Sequence, residues 1–243
     1  MGYKCRNEND GMKYAILAAG DGSRLVQEGE TRPKPLVRVG GETLIDRLLR
    51  VFMTNAAKEI AVICNPQMTA VVAYLETIQK AGEIPLRVMV RSTPSSMHSL
   101  WALRPWLDDA PFILTTVDTI FQEQAFADYV QTFRQTTADG LMGVTDYIDD
   151  ERPLYVSTDA ALRITDFTDT SEHPYFISAG IYGLTPQCFT TLERCIARGE
   201  QRLRNFQRAL VADGLHLQAW PFTKVLDIDH VTDIRKAEQF LSV

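Results

Sequence analysis

Residues 14–44 read YAILAAGDGSRLVQEGETRPKPLVRVGGETL, and the rest of the chain can be read outward from this stretch. Tyr14 to Ala19 is an apolar run of strand length that breaks at Gly20 and Gly22, residues suited to a turn. Two glycines and the small Ser23 let backbone N–H groups crowd a ligand, as glycine-rich loops after a strand do around phosphates. The nucleotide-wrapping segment expected here is Leu17, Ala18, Ala19, Gly20, Asp21, Gly22 and Ser23, with Arg24 and Lys34 adding the fixed positive charge a polyphosphate needs. An ordinary strand-to-loop turn would account for the glycines alone, but not for the longer pattern. Arg24 stands where a dinucleotide-binding G-x-G-x-x-G would have its third small residue, and no G-K-[ST] ending makes the turn a P-loop.

The bounds set by composition agree with one large α/β domain rather than two small ones. A chain of 243 residues, 45% of them hydrophobic, can build a sizeable core, and no linker interrupts it. Twenty-five Lys and Arg against 31 Asp and Glu give a formal charge of −6, which argues against a nucleic-acid or anionic-membrane partner. Positive charge for phosphates must therefore be local. Cys5, Cys64, Cys188 and Cys195 lack metal-ligand spacing, no signal-peptide-like segment leads the chain, and no run is long enough to span a bilayer. Reduced thiols in a cytoplasm are the expectation. Residues 1–11 read as a flexible extension and 12–243 as one domain.

Beyond the opening stretch, helical spacing over Leu44–Phe52 is followed by an apolar strand at Glu59–Cys64, a helix at Met68–Ala81 and a strand at Leu86–Val90. The alternation implies right-handed crossovers and a parallel sheet. A Ser- and Thr-rich loop then runs from Arg91 and turns into a helix near Ser99. Ser95, Ser96 and Ser99 are placed to meet a base, since ligands of open α/β sheets sit beyond the carboxyl ends of strands; a helix-capping role for Ser99 is equally open. Pro111 to Asp118 is a strand ending in a carboxylate. Asp118 there faces the crevice where a hard cation bridging phosphates needs an oxygen ligand, or else it caps the next helix. Asp128–Thr137 reads as a helix; Leu141–Tyr147, Pro153–Ser157 and Leu162–Phe167 read as strands with an antiparallel character. The later elements are a strand at Phe176–Leu184, an amphipathic helix at Gln201–Asp213 with Arg202, Arg204 and Arg208 on a solvated face, and a strand at Leu215–Pro221. Asp227 and Asp229 alternate on a last strand, which puts both on one face, and Val231–Leu241 follows as a helix with Asp233 at its start.

Taken together, Leu17-Ala-Ala-Gly-Asp-Gly-Ser-Arg24, Thr31-Arg-Pro-Lys-Pro-Leu36 and Val39-Gly-Gly41 resemble the L-x-x-G-x-G-x-R-L, P-K-x-L and V-x-G-x-P-L signature of sugar-nucleotide pyrophosphorylase-type nucleotidyltransferases. Phe176-Ile-Ser-Ala-Gly-Ile-Tyr-Gly-Leu184 resembles that family's N-A-G-I-Y-x-F strand, with Ser178 in the asparagine position, and Asp227–Glu238 resembles its D-x-D-T-x-E-D-L-x-x-A-E ending, with His230 for threonine. The resemblance implies a Rossmann-like, GT-A-like fold with a mostly parallel sheet, helices on both faces and an antiparallel acceptor-binding portion. It implies Mg²⁺ held by Asp118 and Asp229, with Asp227 a weaker candidate. It also implies an acceptor lying beside Gly180, although a bulge explains that glycine equally well.

The implied reaction carries NMP from an NTP to a phosphorylated small molecule, most simply a sugar 1-phosphate, with release of pyrophosphate. Arg24 would hold the β- and γ-phosphates and Lys34 would neutralise charge at the α-phosphate. One departure stands out. The family's E-K-P lysine for the acceptor phosphate has no counterpart in Phe167–Pro174, and no lysine occurs between Lys80 and Lys224. Lys224 is the expected substitute, with Arg163, Arg152 or His173 behind it, and His173 otherwise a solvated loop residue. Residues 95–100 also resemble, in part, the T-N-N-x-Y-S-L loop of a CTP-using branch. A cytidylyltransferase for phosphocholine or a phosphonate is thus the second reading, in which Trp101, Tyr155, Tyr175 or Trp220 would cage a quaternary ammonium. A catalytically silent nucleotide-binding subunit is the third, and a homodimer is one option for assembly.

Overall fold

The computed structural model describes residues 11–20, 22–149, 151–172 and 175–242. Residues 1–10 of the extension expected at 1–11, together with Asp21 and His173, lie outside them. The chain opens with strand β1 (Met12–Ala18), every residue of which is buried. After it come helix α1 (Ser23–Gln27) and a 3₁₀ turn at Lys34–Leu36, then the hairpin of β2 (Arg38–Val39) with β3 (Glu42–Thr43). Helix α2 (Leu44–Thr54), β4 (Ala57–Cys64), α3 (Thr69–Ala81), β5 (Leu86–Val90), α4 (Ser96–Leu107) and β6 (Phe112–Thr116) complete the first half. The second half runs through β7 (Thr119–Ile120), α5 (Glu123–Gln135), β8 (Gly140–Thr145), β9 (Tyr155–Thr158), β10 (Ile164–Thr168) and β11 (Phe176–Leu184). It ends with α6 (Cys188–Ala197), α7 (Leu203–Ala212), β12 (Leu217–Phe222), β13 (Leu226–Asp227) and α8 (Val231–Leu241).

Local chemistry explains the element ends. Thr43 caps α2 by accepting from Asp46 N, and Asp46 itself sits in the first turn, where a carboxylate meets the positive end of the helix. Gly82 stops α3 at φ 71°, a backbone that glycine adopts without steric cost. The Asp233 carboxylate accepts from His230 N at 2.8 Å and closes the start of α8.

The sheet is ordered β5-β4-β1-β6-β11, from which β9-β10 and β8-β12 branch. Strands β5, β4, β1 and β6 are parallel; β11 runs antiparallel to β6 and β8, and β12 is parallel to β8. Alternate residues of β1 enter two different cores. Tyr14 and Ile16 join Phe52 and Phe126 under α2 and α5, while Ala15 and Leu17 join Leu100, Phe112 and Phe189 under α4 and α6. Both faces of the sheet are thus covered, as parallel strands require. Tyr14 stacks on Phe52 with ring centroids 4.2 Å apart, an arrangement worth about 1 kcal/mol beyond the buried area. Among the described residues no helix is long and apolar enough to cross a membrane. Cys64, Cys188 and Cys195 are buried free thiols.

Several expectations are corrected. Helix α4 begins at Ser96, so Ser95 rather than Ser99 is its N-cap. Helix α5 begins at Glu123, five positions before Asp128, because its first turn is polar and lacks periodicity. Asp227 and Asp229 do not share a strand: β13 ends at Asp227 and pairs with β7 outside the main sheet. Helix α6 is not among the expected elements, although its buried Cys188, Phe189, Leu192 and Cys195 recur at helical spacing.

Candidate active site

The carboxyl ends of β1, β4 and β6 open into a cleft of about 620 Å³. Leu17, Ala19, Gly20, Gly22, Ser23, Arg24 and Lys34 line it from the opening stretch, and Ser95, Ser96 and Ser99 from the start of α4. Asp118 and Asp229 close the cleft from the two later segments. Ala18 is the exception in its segment, since its side chain is buried in the core. Gly22 caps α1 at φ 59°, and a Cβ placed on it would meet Lys34 Cβ at 3.0 Å. Only glycine lets the loop turn there and pass so close to Lys34.

Lys34 is the electrostatic centre. Its side chain is about 10% exposed, and its ammonium donates to Asp118 Oδ2 and, at 2.9 Å, to Asp229 Oδ1. Burial by itself would depress the lysine's pKa, yet the two carboxylates outweigh that and hold it above the ordinary lysine value. The other oxygen of Asp229 accepts from Arg24 Nη1 at 2.8 Å. Burial works against the charged form of Asp229, but Lys34 and then Arg24 hold its carboxyl below the usual range. Two acidic side chains thus converge on one cation. Among the described residues no three His, Cys, Asp or Glu side chains gather as a closed metal cage. A pair of carboxylate oxygens beside a phosphate-sized cleft fits Mg²⁺, which keeps waters and substrate oxygens in its shell rather than filling it from the protein.

Ser99 lines the cleft, but its hydroxyl is already committed to Thr93 Oγ1 at 2.6 Å and Ser95 O at 3.3 Å. Ser95 is likewise occupied, its Oγ lying 2.9 Å from His98 Nδ1.

A second chamber of about 440 Å³ adjoins the cleft and shares Arg24, Ser96, Thr116 and Asp229 with it. Gly180 forms its floor. It lies in a β-bulge of β11 at φ 72°, where a Cβ would come within 3.1 Å of Thr119 Oγ1. The bulge reading of this glycine is the one the backbone displays. Asp227 lines this chamber and not the cleft. Ser178 Oγ donates to Gln207 Oε1 at 3.0 Å and also pairs with Tyr182, whose phenol burial pushes up to about 12.

Lys224 is not brought to either space. Its ammonium lies over the Tyr147 ring at 4.2 Å and near Phe240 at 5.4 Å, so cation–π contacts fix it elsewhere. Arg152, Arg202 and Arg204 line the second chamber instead. Arg202 is exposed, as the solvated face expected for it requires, whereas Arg204 and Arg208 are half-buried and that expectation is corrected for those two. Arg163 pairs through its backbone with Gln218, on the far side of β10. Glu28, which no motif marks, joins α1 to the start of α8: its carboxylate meets His230 Nδ1 at 2.5 Å and accepts from Val231 N at 2.8 Å. Glu28 lies four residues after Arg24, on the same helical face, and that spacing was the one available signal.

The chain is similar to known proteins over nearly its whole length. It is 25% identical over 242 residues to the UTP–glucose-1-phosphate uridylyltransferase of Haloferax volcanii, covering 95% of this chain and 96% of that one. Its fold matches the CTP:phosphocholine cytidylyltransferase of Streptococcus pneumoniae with a TM-score of 0.76 at 19% identity, over 95% of this chain and 99% of the other. It matches the inositol-1-phosphate CTP transferase of T. maritima with a TM-score of 0.76 at 17% identity, over 96% and 98% of the two chains. Residues 13–242 match the model of the nucleotidyl transferase family, and the chain belongs to that family.

Proposed function

We propose that the protein is a Mg²⁺-dependent transferase that moves a nucleoside monophosphate from an NTP to a phosphorylated small molecule of the sugar 1-phosphate kind. The observation that carries this is the pair of adjoining chambers whose common wall holds Arg24 and Asp229. A donor in one space and an acceptor in the other would meet at that wall. The name of the full-length relative, a uridylyltransferase for glucose 1-phosphate, supports an acceptor of this type.

An oxygen of the acceptor phosphate attacks the α-phosphorus, and the bond to the bridging oxygen breaks, its electron pair leaving with pyrophosphate. That nucleophile is anionic at neutral pH, so no general base is needed. Arg24 holds the β- and γ-phosphates and neutralises the departing pyrophosphate. Lys34 places its charge against the α-phosphate, and backbone N–H groups of the Gly20–Ser23 turn wrap the phosphates. Asp118 and Asp229 would hold Mg²⁺, which when bound supplies Lewis-acid neutralisation of phosphate charge. Positioning and charge account for the catalysis, since no covalent nucleophile is called for.

The test is pyrophosphate release from each of the four common NTPs, with and without Mg²⁺, across sugar 1-phosphates, inositol 1-phosphate and phosphocholine. Release with at least one pair, dependent on Mg²⁺, is expected; no release with any pair removes the reading. The phosphocholine alternative gains no cage, because Trp101, Tyr155, Tyr175 and Trp220 line neither chamber. Trp101 packs on Arg104, Trp220 on Tyr129 and Tyr175 on Phe176. A silent subunit would be expected to have lost one of Arg24, Lys34, Asp118 or Asp229, and all four are present.

A further inference from the structure

The acceptor chamber adjoins three other spaces, one of which, of about 280 Å³, meets it at Arg24, Ser178, Asp227 and Asp229. On one side it shares Arg24, Ser96, Thr116 and Asp229 with the cleft; on the other it shares Arg202 and Arg204 with an outer recess of about 480 Å³. The cleft and the recess have no lining residue in common. Cationic groups therefore stand at both ends of the chamber, with the polar wall of Ser178, Tyr182 and Gln207 between them.

We infer that the acceptor carries, besides its reacting phosphate, a second acidic group, a carboxylate or a further phosphate, which Arg202 and Arg204 receive at the outer end. The inference rests on the transferase reading for the placement of the reacting phosphate at the inner end.

Three observations carry it. The outer end has a surplus of positive charge: Arg202, Arg204 and Arg208 line the recess there, against Asp169 and Glu200. Glu200 is already held by Arg198 at 2.8 Å, and Asp169 is divided between Arg204 at 2.6 Å and Arg208 at 2.7 Å. Among the described residues no carboxylate pairs with Arg202.

Arg202 is also strained. Its φ of 76° belongs to a region that L side chains rarely adopt, and it sits at the N-cap of α7, without a side-chain cap hydrogen bond for the first-turn N–H groups. Strain of this kind persists where the surroundings impose it, often at binding sites.

Arg204 is presented rather than free to swing. It is pinned by Asp169 and by donation from Nη2 to Arg152 O at 3.0 Å, which fixes the fork that matches a carboxylate or phosphate. Since no lysine occurs between Lys80 and Lys224, guanidinium groups are the only long cationic side chains that residues 81–223 supply.

Matched acceptors that differ by one acid group test the inference. Glucose 1-phosphate would be compared with glucuronate 1-phosphate, and phosphoethanolamine with phosphoserine, with glucose 1,6-bisphosphate as a further probe that carries a second phosphate. Each is read by thermal shift on the full chain and by pyrophosphate release with NTP and Mg²⁺. The wild type is expected to favour the acidic member of at least one pair at least tenfold. Arg202→Gln, which removes no ion pair and should fold normally, and the double variant with Arg204→Gln are expected to bring that ratio to near one, while the shift caused by NTP alone is unchanged. Equal response to both members in the wild type overturns the inference. An equal loss on both members in the variants also overturns it, because the arginines would then hold the reacting phosphate. A thermal-shift preference for the acidic member without pyrophosphate release would sink the transferase reading and leave the acidic-ligand site standing.

Discussion

Lys34 and Asp229 are 195 residues apart in sequence and 2.9 Å apart in space, and the same carboxylate reaches on to Arg24. Without a nucleotide, the cleft's two cations are thus neutralised by its own acids. On the proposed reaction, an incoming triphosphate would compete for Arg24 and Lys34 and at the same time free carboxylate oxygens for a metal. Donor and Mg²⁺ are therefore expected to bind with positive linkage, each weakening the internal ion pairs that oppose the other.

Removing Lys34 should separate binding chemistry from fold only partly. Lys34→Met leaves Asp118 and Asp229 facing each other without their shared cation. The expected cost is about 2 kcal/mol, below the full figure for a buried pair because Asp229 is 39% exposed. The turnover rate should fall by roughly 10²- to 10³-fold, the scale of losing one preorganised charge in a transition state. Asp118→Asn should abolish turnover while leaving the urea midpoint within error. Steady-state rates and urea unfolding on the same preparations check both.

Glu28 acts at a distance from the phosphates. Arg24 and Glu28, one helical turn apart, contact the consecutive residues Asp229 and His230, so α1 is docked at two points. Glu28→Ala removes the docking that survives when phosphate draws Arg24 off Asp229. The expectation is a roughly tenfold rise in KM for the NTP, about 1.4 kcal/mol, with KM for the acceptor unchanged. Glu28→Gln, which can still accept from Val231 N, should recover part of that loss. Equal effects on both KM values would mean a general structural role.

Much of this arrangement was legible in advance, for physical reasons. Strands β5 and β11 and helix α8 fall where the residue pattern places them, because each is bounded by glycine, proline or a capping carboxylate and buries a regular face. The opening motif also survives, since glycine conformation and fixed charge are local properties. What the sequence does not display is which solvated-looking residue another segment will face. Arg204 lies on an amphipathic helix whose apolar face is plain, yet its contacts with Asp169 and the Arg152 carbonyl, 35 and 52 residues away, are what hold it at a chamber. Lys224 shows the reverse: a lone lysine near the acidic ending is captured by Tyr147 and Phe240. Glu28 belongs to no motif, and its role depends on a partner 202 residues away.

The close passage of Gly22 and Lys34 can be probed directly. Gly22→Ala must adopt φ near 59° and place a Cβ 3.0 Å from Lys34 Cβ, so either the loop or the lysine moves. A loss of about 1–2 kcal/mol is expected from the left-handed backbone alone. Activity should fall further than stability, because any shift of Lys34 separates it from Asp118. An alanine variant with wild-type kcat would show that the loop does not set the position of Lys34. Gly20→Ala, where the added Cβ meets nothing within 4 Å, is the matched control and should cost little.

The loop leading to Lys34 should confer acid sensitivity through Glu30. Its carboxylate accepts from Arg32 N and Nε at 2.9 Å, and from Nη2 at 2.9 Å through its other oxygen. The Arg32 side chain, then its backbone, lowers the Glu30 pKa to about 2 from an ordinary 4.5. A depressed carboxyl binds fewer protons in the folded chain than in the unfolded one. Its stabilisation is therefore complete above pH 4.5 and is lost as the pH falls towards 2. Glu30→Gln lacks this contribution at every pH. The difference in unfolding midpoint between wild type and Glu30→Gln should hold constant from about pH 7 to 5 and shrink steadily below about pH 4.5. A difference that grows on acidification would show that the Arg32 contact is not made in the folded state.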